Sequence, residues 1–263
     1  MARGAEPDLQ LEPRGTWRPM GGGSICEVHR ARSTDGRTVV VKHTPYPAAM
    51  EAEGLTAMAA AGAPVPEVLR VGAHELVLAH VAGPPDWPAL GRRLATMHRS
   101  TAEAFGWPTE NRIGPEVQVN LQDPDWPTFY AERRVRPFLD DLPAGPRRRL
   151  SNAIDGPMRR LLASGSPPSL VHGDLWAGNV VDGRWLIDPA VHHADRELDL
   201  AVTGLFGGFD EAFHQAYRET WPLPDGWRER RPALQLYHLL LHVRLFGSGY
   251  VSSVVQRLDA LGW

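Results

Sequence analysis

The sequence changes character at Gly83-Pro84-Pro85, and that change limits the folds open to it. Before it, from about Leu11 to Val81, the text is strand-like. The run from Arg37 to Lys42 is short and β-branched, sits behind an Asp35-Gly36 turn, and predicts a hairpin. Ala48 to Ala61 switches to good helix formers and stops at Gly62, with Pro64 just beyond. Leu76 to Val81 is a further apolar strand. After the prolines the pattern is helical: Leu90, Leu94 and Met97 share one face of a helix begun near Pro88, and Leu234, Tyr237, Leu241 and Leu245 repeat it. Two short strands, Leu170 to His172 and Trp185 to Ile187, interrupt the helices, with a turn at Asp182-Gly183. The expectation is an α+β chain, with a small sheet-rich part over residues 1–82 and a larger helical part over residues 83–263.

With 263 residues, 43% of them hydrophobic, the chain is long enough for two lobes sharing a cleft. A formal charge of −3 gives no basic field for phosphate backbones, so nucleic acid is not an expected partner. One cysteine, Cys26, excludes an internal disulfide and suits a reducing cytoplasm. No run approaches the ~20 apolar residues of a membrane span, and no signal peptide is legible, so a cytoplasmic protein is expected. The arginine-rich stretch from Tyr130 to Arg160 predicts a solvated surface of mixed charge.

The chemistry concentrates between Leu170 and Pro189. Phosphoryl transfer to a hydroxyl needs a carboxylate to orient the hydroxyl and take its proton, and oxygen ligands to hold magnesium against the phosphates. Asp174, followed five positions later by Asn179 and, past a short hairpin, by Asp188, supplies both. Asp174 is the expected base, and Asn179 and Asp188 the expected Mg2+ ligands, an all-oxygen set of the kind magnesium prefers. Singly, Asp and Asn are as readily turn caps, and it is the spacing between two apolar strands that favours the chemical role. Lys42, at the end of the β-branched strand, is expected to pair the phosphates of ATP. Such a lysine needs a carboxylate to position it, and Glu51 and Glu53 both follow on the next helix; Glu53 is the favoured partner, although spacing does not separate the two. Gly22, Gly23 and Ser24, after Gly21, are either a phosphate-covering loop or a plain turn, and match neither the Walker nor the dinucleotide pattern. His192 and His193 with Asp195 lack a third ligand cluster and predict a surface or cleft-edge role, not a metal site. No Gly-x-Ser-x-Gly elbow is present to suggest a serine hydrolase.

These residues resemble the fructosamine kinase (ketosamine 3-kinase) family, within the wider aminoglycoside-phosphotransferase and protein-kinase-like group. His172-Gly173-Asp174, Asn179 and Ile187-Asp188 carry the wider likeness. Trp176, Asp188-Pro189-Ala190, the Leu205 to Phe209 segment with Tyr217, and Gln122 to Phe129 are similar to the narrower family. The resemblance implies a bilobal protein-kinase-like fold, with a small antiparallel-sheet N-lobe, a hinge near Leu78 to Val81 and a mainly helical C-lobe. It implies that the backbone of Ala79 and Val81 holds adenine, that Trp176 lines the sugar end of the cleft, and that His242 faces the substrate. It also implies ATP-dependent phosphorylation of the 3-hydroxyl of a ketosamine, free or on glycated proteins, leading to release of the amine. Some members carry a cysteine in the glycine-rich loop that is linked to redox control; here Ser24 follows the glycines, and Cys26 is read as an ordinary strand residue.

Two alternatives stay open at this stage. One is an aminoglycoside or other small-metabolite phosphotransferase, for which Asp195, Glu197, Asp199, Asp210 and Glu211 would supply an acidic substrate loop, although Asp199 reads equally as structural. The other is a nucleotide-binding pseudokinase. Oligomeric state is not legible.

Overall fold

The computed structural model describes residues 9–21, 25–163 and 165–263; Gly22, Gly23 and Ser24 therefore lie outside the described residues. A five-stranded antiparallel sheet occupies the first part of the chain, built from β1 (Arg18–Pro19), β2 (Glu27–Arg32), β3 (Thr38–His43), β4 (Val68–Val71) and β5 (Glu75–Ala79) in the order β1-β2-β3-β5-β4. The β2–β3 hairpin turns where the Asp35-Gly36 pair predicts, with Arg32 opposite Thr38 and Gly36 at φ +89°. Successive side chains of a strand point to opposite faces, so β3 divides its residues between two cores. Val39 and Val41 bury with Leu69 and Val77 on one face. Val40 turns the other way, toward α1 (Ala48–Ala60), and Lys42 shares its parity.

Nine helices follow α1 among the described residues: α2 (Trp87–His98), α3 (Trp126–Phe129), α4 (Ala144–Ile154), α5 (Pro157–Leu162), α6 (Glu197–Thr203), α7 (Glu211–Thr220), α8 (Trp227–Leu234), α9 (Leu236–Phe246) and α10 (Val251–Leu261). Between them lie three two-stranded ribbons, pairing β6 (Asn111–Ile113) with β7 (Glu116–Gln118), β8 (Ser169–Val171) with β11 (His192–Ala194), and β9 (Val180–Val181) with β10 (Trp185–Leu186). The expected division at 82/83 falls in the linker from β5 to α2, where Gly83 N donates to Asp182 Oδ2 at 3.2 Å. The single helical face expected through Leu234 and Leu245 is cut in two at Gln235, between α8 and α9. No described helix is long and apolar enough to cross a membrane.

One apolar cluster joins the sheet-bearing part to the helical part. Leu55 and Met58 of α1 and Leu76 and Leu78 of β5 pack with Leu90, Leu94, Leu175, Leu186, Val191 and Phe213. A Cβ on Gly54 would stand 3.1 Å from Pro189 Cγ and 3.3 Å from Val191 Cγ2, so α1 lies nearly in backbone contact with the segment after Asp188. The arginine-rich stretch is not all surface: Arg134 is fully buried against Phe129 and Tyr237, donating to the Val119 carbonyl at 2.8 Å and to Asn120 Oδ1 at 2.7 Å.

Candidate active site

The loop after β8 is fastened from below. Asp199 of α6, wholly buried, accepts from the backbone N–H of His172 at 2.7 Å, from that of Gly173 at 2.9 Å and from His98 Nε2 at 3.0 Å. Burial alone would raise its pKa, but these donors hold it below the ordinary carboxylate range. Gly173 sits at φ +83°, and a Cβ there would come within 2.1 Å of the Ala190 carbonyl oxygen, so no larger residue fits. His172 Nε2 donates to the Ile187 carbonyl at 2.9 Å while Nδ1 accepts from Asp174 N at 3.2 Å. Burial pulls its pKa down, in keeping with that neutral tautomer. One histidine thus ties the loop carrying Asp174 to the segment after β10 that carries Asp188.

Asp174 and Asn179 meet directly: Asn179 Nδ2 donates to the Asp174 carbonyl at 2.9 Å and to Asp174 Oδ2 at 3.0 Å. With its amide nitrogen so committed, Asn179 has only Oδ1 left to offer a metal. Burial pushes the Asp174 carboxyl up to about 7, against the opposing pull of Asn179. Asp188 takes the left-handed conformation, φ 54°, and its Oδ1 accepts from Lys42 Nζ at 2.7 Å. A metal would therefore find Asn179 Oδ1 and the other oxygen of Asp188, all hard oxygen donors. Among the described residues no cluster of three or more His, Cys, Asp or Glu side chains forms a cage, so the donor set suits an ion that takes its remaining ligands from phosphates and water.

Lys42 is the only lysine in the sequence. Its ammonium is buried between Asp188 and Glu51, 2.7 Å from each. Burial would lower its pKa, but the two carboxylates outweigh that and hold it well above the ordinary range. The partner is Glu51, which corrects the expectation for Glu53. Two residues along a helix turn a side chain through ~200°, so Glu53 faces the other way. Its carboxylate accepts from Trp107 Nε1 at 3.0 Å and from Thr109 Oγ1 at 3.1 Å.

Lys42, Glu51, Asp174, Asn179 and Asp188 line one cavity of about 880 Å³. Val28, Val40, Leu78, Ala79 and Val81 form an apolar slot on its sheet side, and half-buried Cys26 also borders it, its thiol pushed up by burial. On the helical side stand Trp176, Phe206, His242, Phe246 and Tyr250. Trp176 is 41% exposed, and its ring covers Gly178, where a Cβ would lie 2.2 Å from it. His242 Nδ1 donates to the His238 carbonyl at 2.7 Å, and burial lowers its pKa, so the neutral ring keeps Nε2 as an acceptor.

Two residues the sequence reading passed over stand beside these groups, His98 and His238, while Glu51, one of the two candidates for Lys42, is the one that pairs with it. His238 is fully buried, with its pKa lowered by burial to about 4, and its Nε2 donates to the Gly173 carbonyl at 3.0 Å, 3.6 Å from Asp174 Oδ1. It precedes His242 by one helical turn on α9, a spacing that was available as a sign. The acidic loop considered for a polycationic substrate does not form. Asp195, Glu197 and Asp199 are buried, Glu197 in an ion pair with Arg230 at 2.6 Å, and Asp210 caps α7 through the Ala212 N–H. Glu211 pairs with Arg218 at 2.7 Å. His192 is also fully buried, and His193 stacks on Trp107 at 5.3 Å, so a surface role does not hold for the first of the two.

The family model described as fructosamine kinase matches residues 12–261. A Thermus thermophilus protein named "probable ketoamine kinase" is 36% identical over 260 residues, spanning 95% of this chain and 95% of that protein. The chloroplastic protein-ribulosamine 3-kinase of Arabidopsis thaliana is 35% identical over 184 residues, 65% of this chain and 55% of that protein. Among solved structures, a "putative fructosamine-3-kinase" from Thermobifida fusca superposes with a TM-score of 0.87 at 35% identity, covering 96% of this chain and 94% of that one. An amicoumacin kinase shares the fold alone, with a TM-score of 0.60 at 14% identity, covering 96% of this chain and 90% of that one.

Proposed function

Because the chain belongs to the fructosamine kinase family, we propose that its cleft transfers the γ-phosphoryl group of ATP to the 3-hydroxyl of a ketosamine, with Asp174 as the base. The chain is an ATP-dependent phosphotransferase of bilobal, protein-kinase-like fold. The observation that carries the assignment of roles is the pairing of Asp174 with Asn179 at 3.0 Å in the cavity that also holds the Glu51–Lys42–Asp188 bridge.

In this reading residues 1–82 hold the nucleotide and residues 83–263 bring the base and the substrate to it. The adenine edge meets the carbonyl of Ala79 and the amide of Val81. Lys42, kept charged and oriented by Glu51, reaches the α- and β-phosphates. Asn179 and Asp188 would hold magnesium, which would offset phosphate charge when bound with the nucleotide. Asp174 accepts the proton of the 3-hydroxyl as its oxygen bonds to the γ-phosphorus, while the bond from that phosphorus to the β–γ bridging oxygen breaks and ADP leaves. A carboxyl poised near neutrality can take that proton and return it to solvent. Trp176 and His242 line the sugar end. An ATP-consuming enzyme with one cysteine suits the cytoplasm.

The test measures ADP release and the phosphorylated product with Mg2+-ATP, offering fructosamines, ribulosamines and aminoglycosides side by side. Transfer to ketosamines is expected. Transfer to aminoglycosides alone, or nucleotide binding without transfer, would reject the reading.

A further inference from the structure

The outer part of the cavity has a makeup that phosphoryl transfer does not use. Four rings stand together there: Phe206 and Tyr250 each lie 4.9 Å from His242, and Phe246 lies 5.2 Å from it. Phe246 is 60% and Phe206 42% exposed, so the rings present a contiguous apolar patch and not a single exposed side chain. The β6–β7 hairpin adjoins this wall. A Cβ on Gly114 at its tip would lie 3.5 Å from Ile25 and 3.9 Å from Leu245, the neighbour of Phe246, and Glu116 pairs with Arg244 of α9 at 3.4 Å.

Arg112 on β6 lines the same cavity. Its guanidinium lies 3.9 Å over the Tyr46 ring, which fixes the plane of the fork. Nη1 donates to the Pro115 carbonyl at 2.6 Å, but Nε is buried without a partner, and among the described residues no carboxylate pairs with it. The acids that line the cavity are Glu51, Asp174 and Asp188, all engaged at its inner end. A guanidinium that lines the cavity with no carboxylate of its own favours an incoming anion, and a ring wall without acids offers nothing to neutralise a polycation.

We propose that Arg112 receives the carboxylate of the substrate's amine moiety while the four rings hold its apolar side chain, so that the preferred substrate is the ketosamine of a free α-amino acid. This rests on the ketosamine kinase reading above. The sugar then points inward to Asp174, the secondary ammonium lies against the rings and can donate to His242 Nε2, and the amino-acid carboxylate reaches back to β6.

Initial rates of the full chain are measured on three ketosamines: those of phenylalanine, of phenylalanine amide and of n-butylamine. The acid is expected to exceed the amide in kcat/KM by about 10- to 100-fold, the range of one charge-assisted contact. R112Q should collapse that ratio toward one and leave the KM for ATP in place. Equal kcat/KM for acid and amide in the wild type would overturn the proposal without any variant. So would R112Q raising the KM for ATP while the ratio persists, which would assign Arg112 to the nucleotide. Turnover of none of the three is a different failure, that of the kinase reading itself, and it removes the proposal with it.

Discussion

Asp199 stays charged where no water reaches it because His98 and the amides of His172 and Gly173 all point at it. Its folded pKa lies below the ordinary value of 3.8, so its contribution to stability is complete above that value and is lost as pH falls through the lower one. Asp199→Asn should cost about 3–5 kcal/mol at pH 7, by leaving buried donors without their charge. The gap to the wild type should begin to narrow only below the ordinary value of 3.8, where the unfolded chain takes up the proton, and should close as pH falls through the lower folded value. Urea unfolding over a series from pH 7 down to pH ~2 measures this, and a gap unchanged across the whole series would show that the charge is not what matters. Asp174→Asn keeps the bond geometry to Asn179 but removes the base; kcat should fall about 10²- to 10⁴-fold with ATP binding retained, as isothermal titration would show. At this scale the sequence was informative where chemistry and spacing coincide, at Asp174, Asn179, Asp188 and Lys42. It was silent on Arg112, whose surroundings come from distant segments; His238 was marked only by its one-turn spacing from His242, and Asp199 looked no different from any helix-borne acid.

The placement of α1 decides which glutamate meets Lys42. Helix α1 itself was legible from Ala48 onward, and so was the strand carrying Lys42, but the rotation of one against the other was not. That rotation is set by Gly54, whose missing side chain lets α1 settle on Pro189 and Val191 and brings Glu51 to the ammonium. Gly54→Val should push the helix outward, at a cost of about 1–3 kcal/mol for overpacking. Its kcat/KM for ATP should fall about 10-fold, the equivalent of 1.4 kcal/mol in positioning, while Gly54→Ala stays closer to the wild type. Thermal melts and ATP titrations of the two variants test this; full activity in the valine variant would mean that α1 is not held by this contact. The short ribbons illustrate the same limit on sequence reading. β8 was expected, but its pairing with β11, which buries His192, depends on a strand that two adjacent histidines do not announce.

At the scale of the whole chain, each lobe has an apolar cluster of its own, but a third, running from α1 and β5 into α2, α7 and the loop after β8, is shared by both, so neither can open without exposing it. Heating should therefore give one calorimetric transition, with equal calorimetric and van't Hoff enthalpies. Two resolved transitions would mean that the lobes melt independently. The α+β division was legible because strand and helix periodicities change at Gly83-Pro84-Pro85; the sharing of one core across that division was not, since periodicity shows which face is apolar but not what it meets. The Glu51–Lys42–Asp188 bridge crosses the same boundary, and it contains the one lysine of the sequence. Reducing sugars condense with uncharged, accessible amines. Here the only ε-amine is shut inside the cleft and held protonated, and every cation that arginine supplies elsewhere is a guanidinium. An enzyme of the fructosamine kinase family therefore presents no lysine to sugar on its own surface, and the one ε-amine it has, in the Glu51–Lys42–Asp188 bridge, is shielded from such damage.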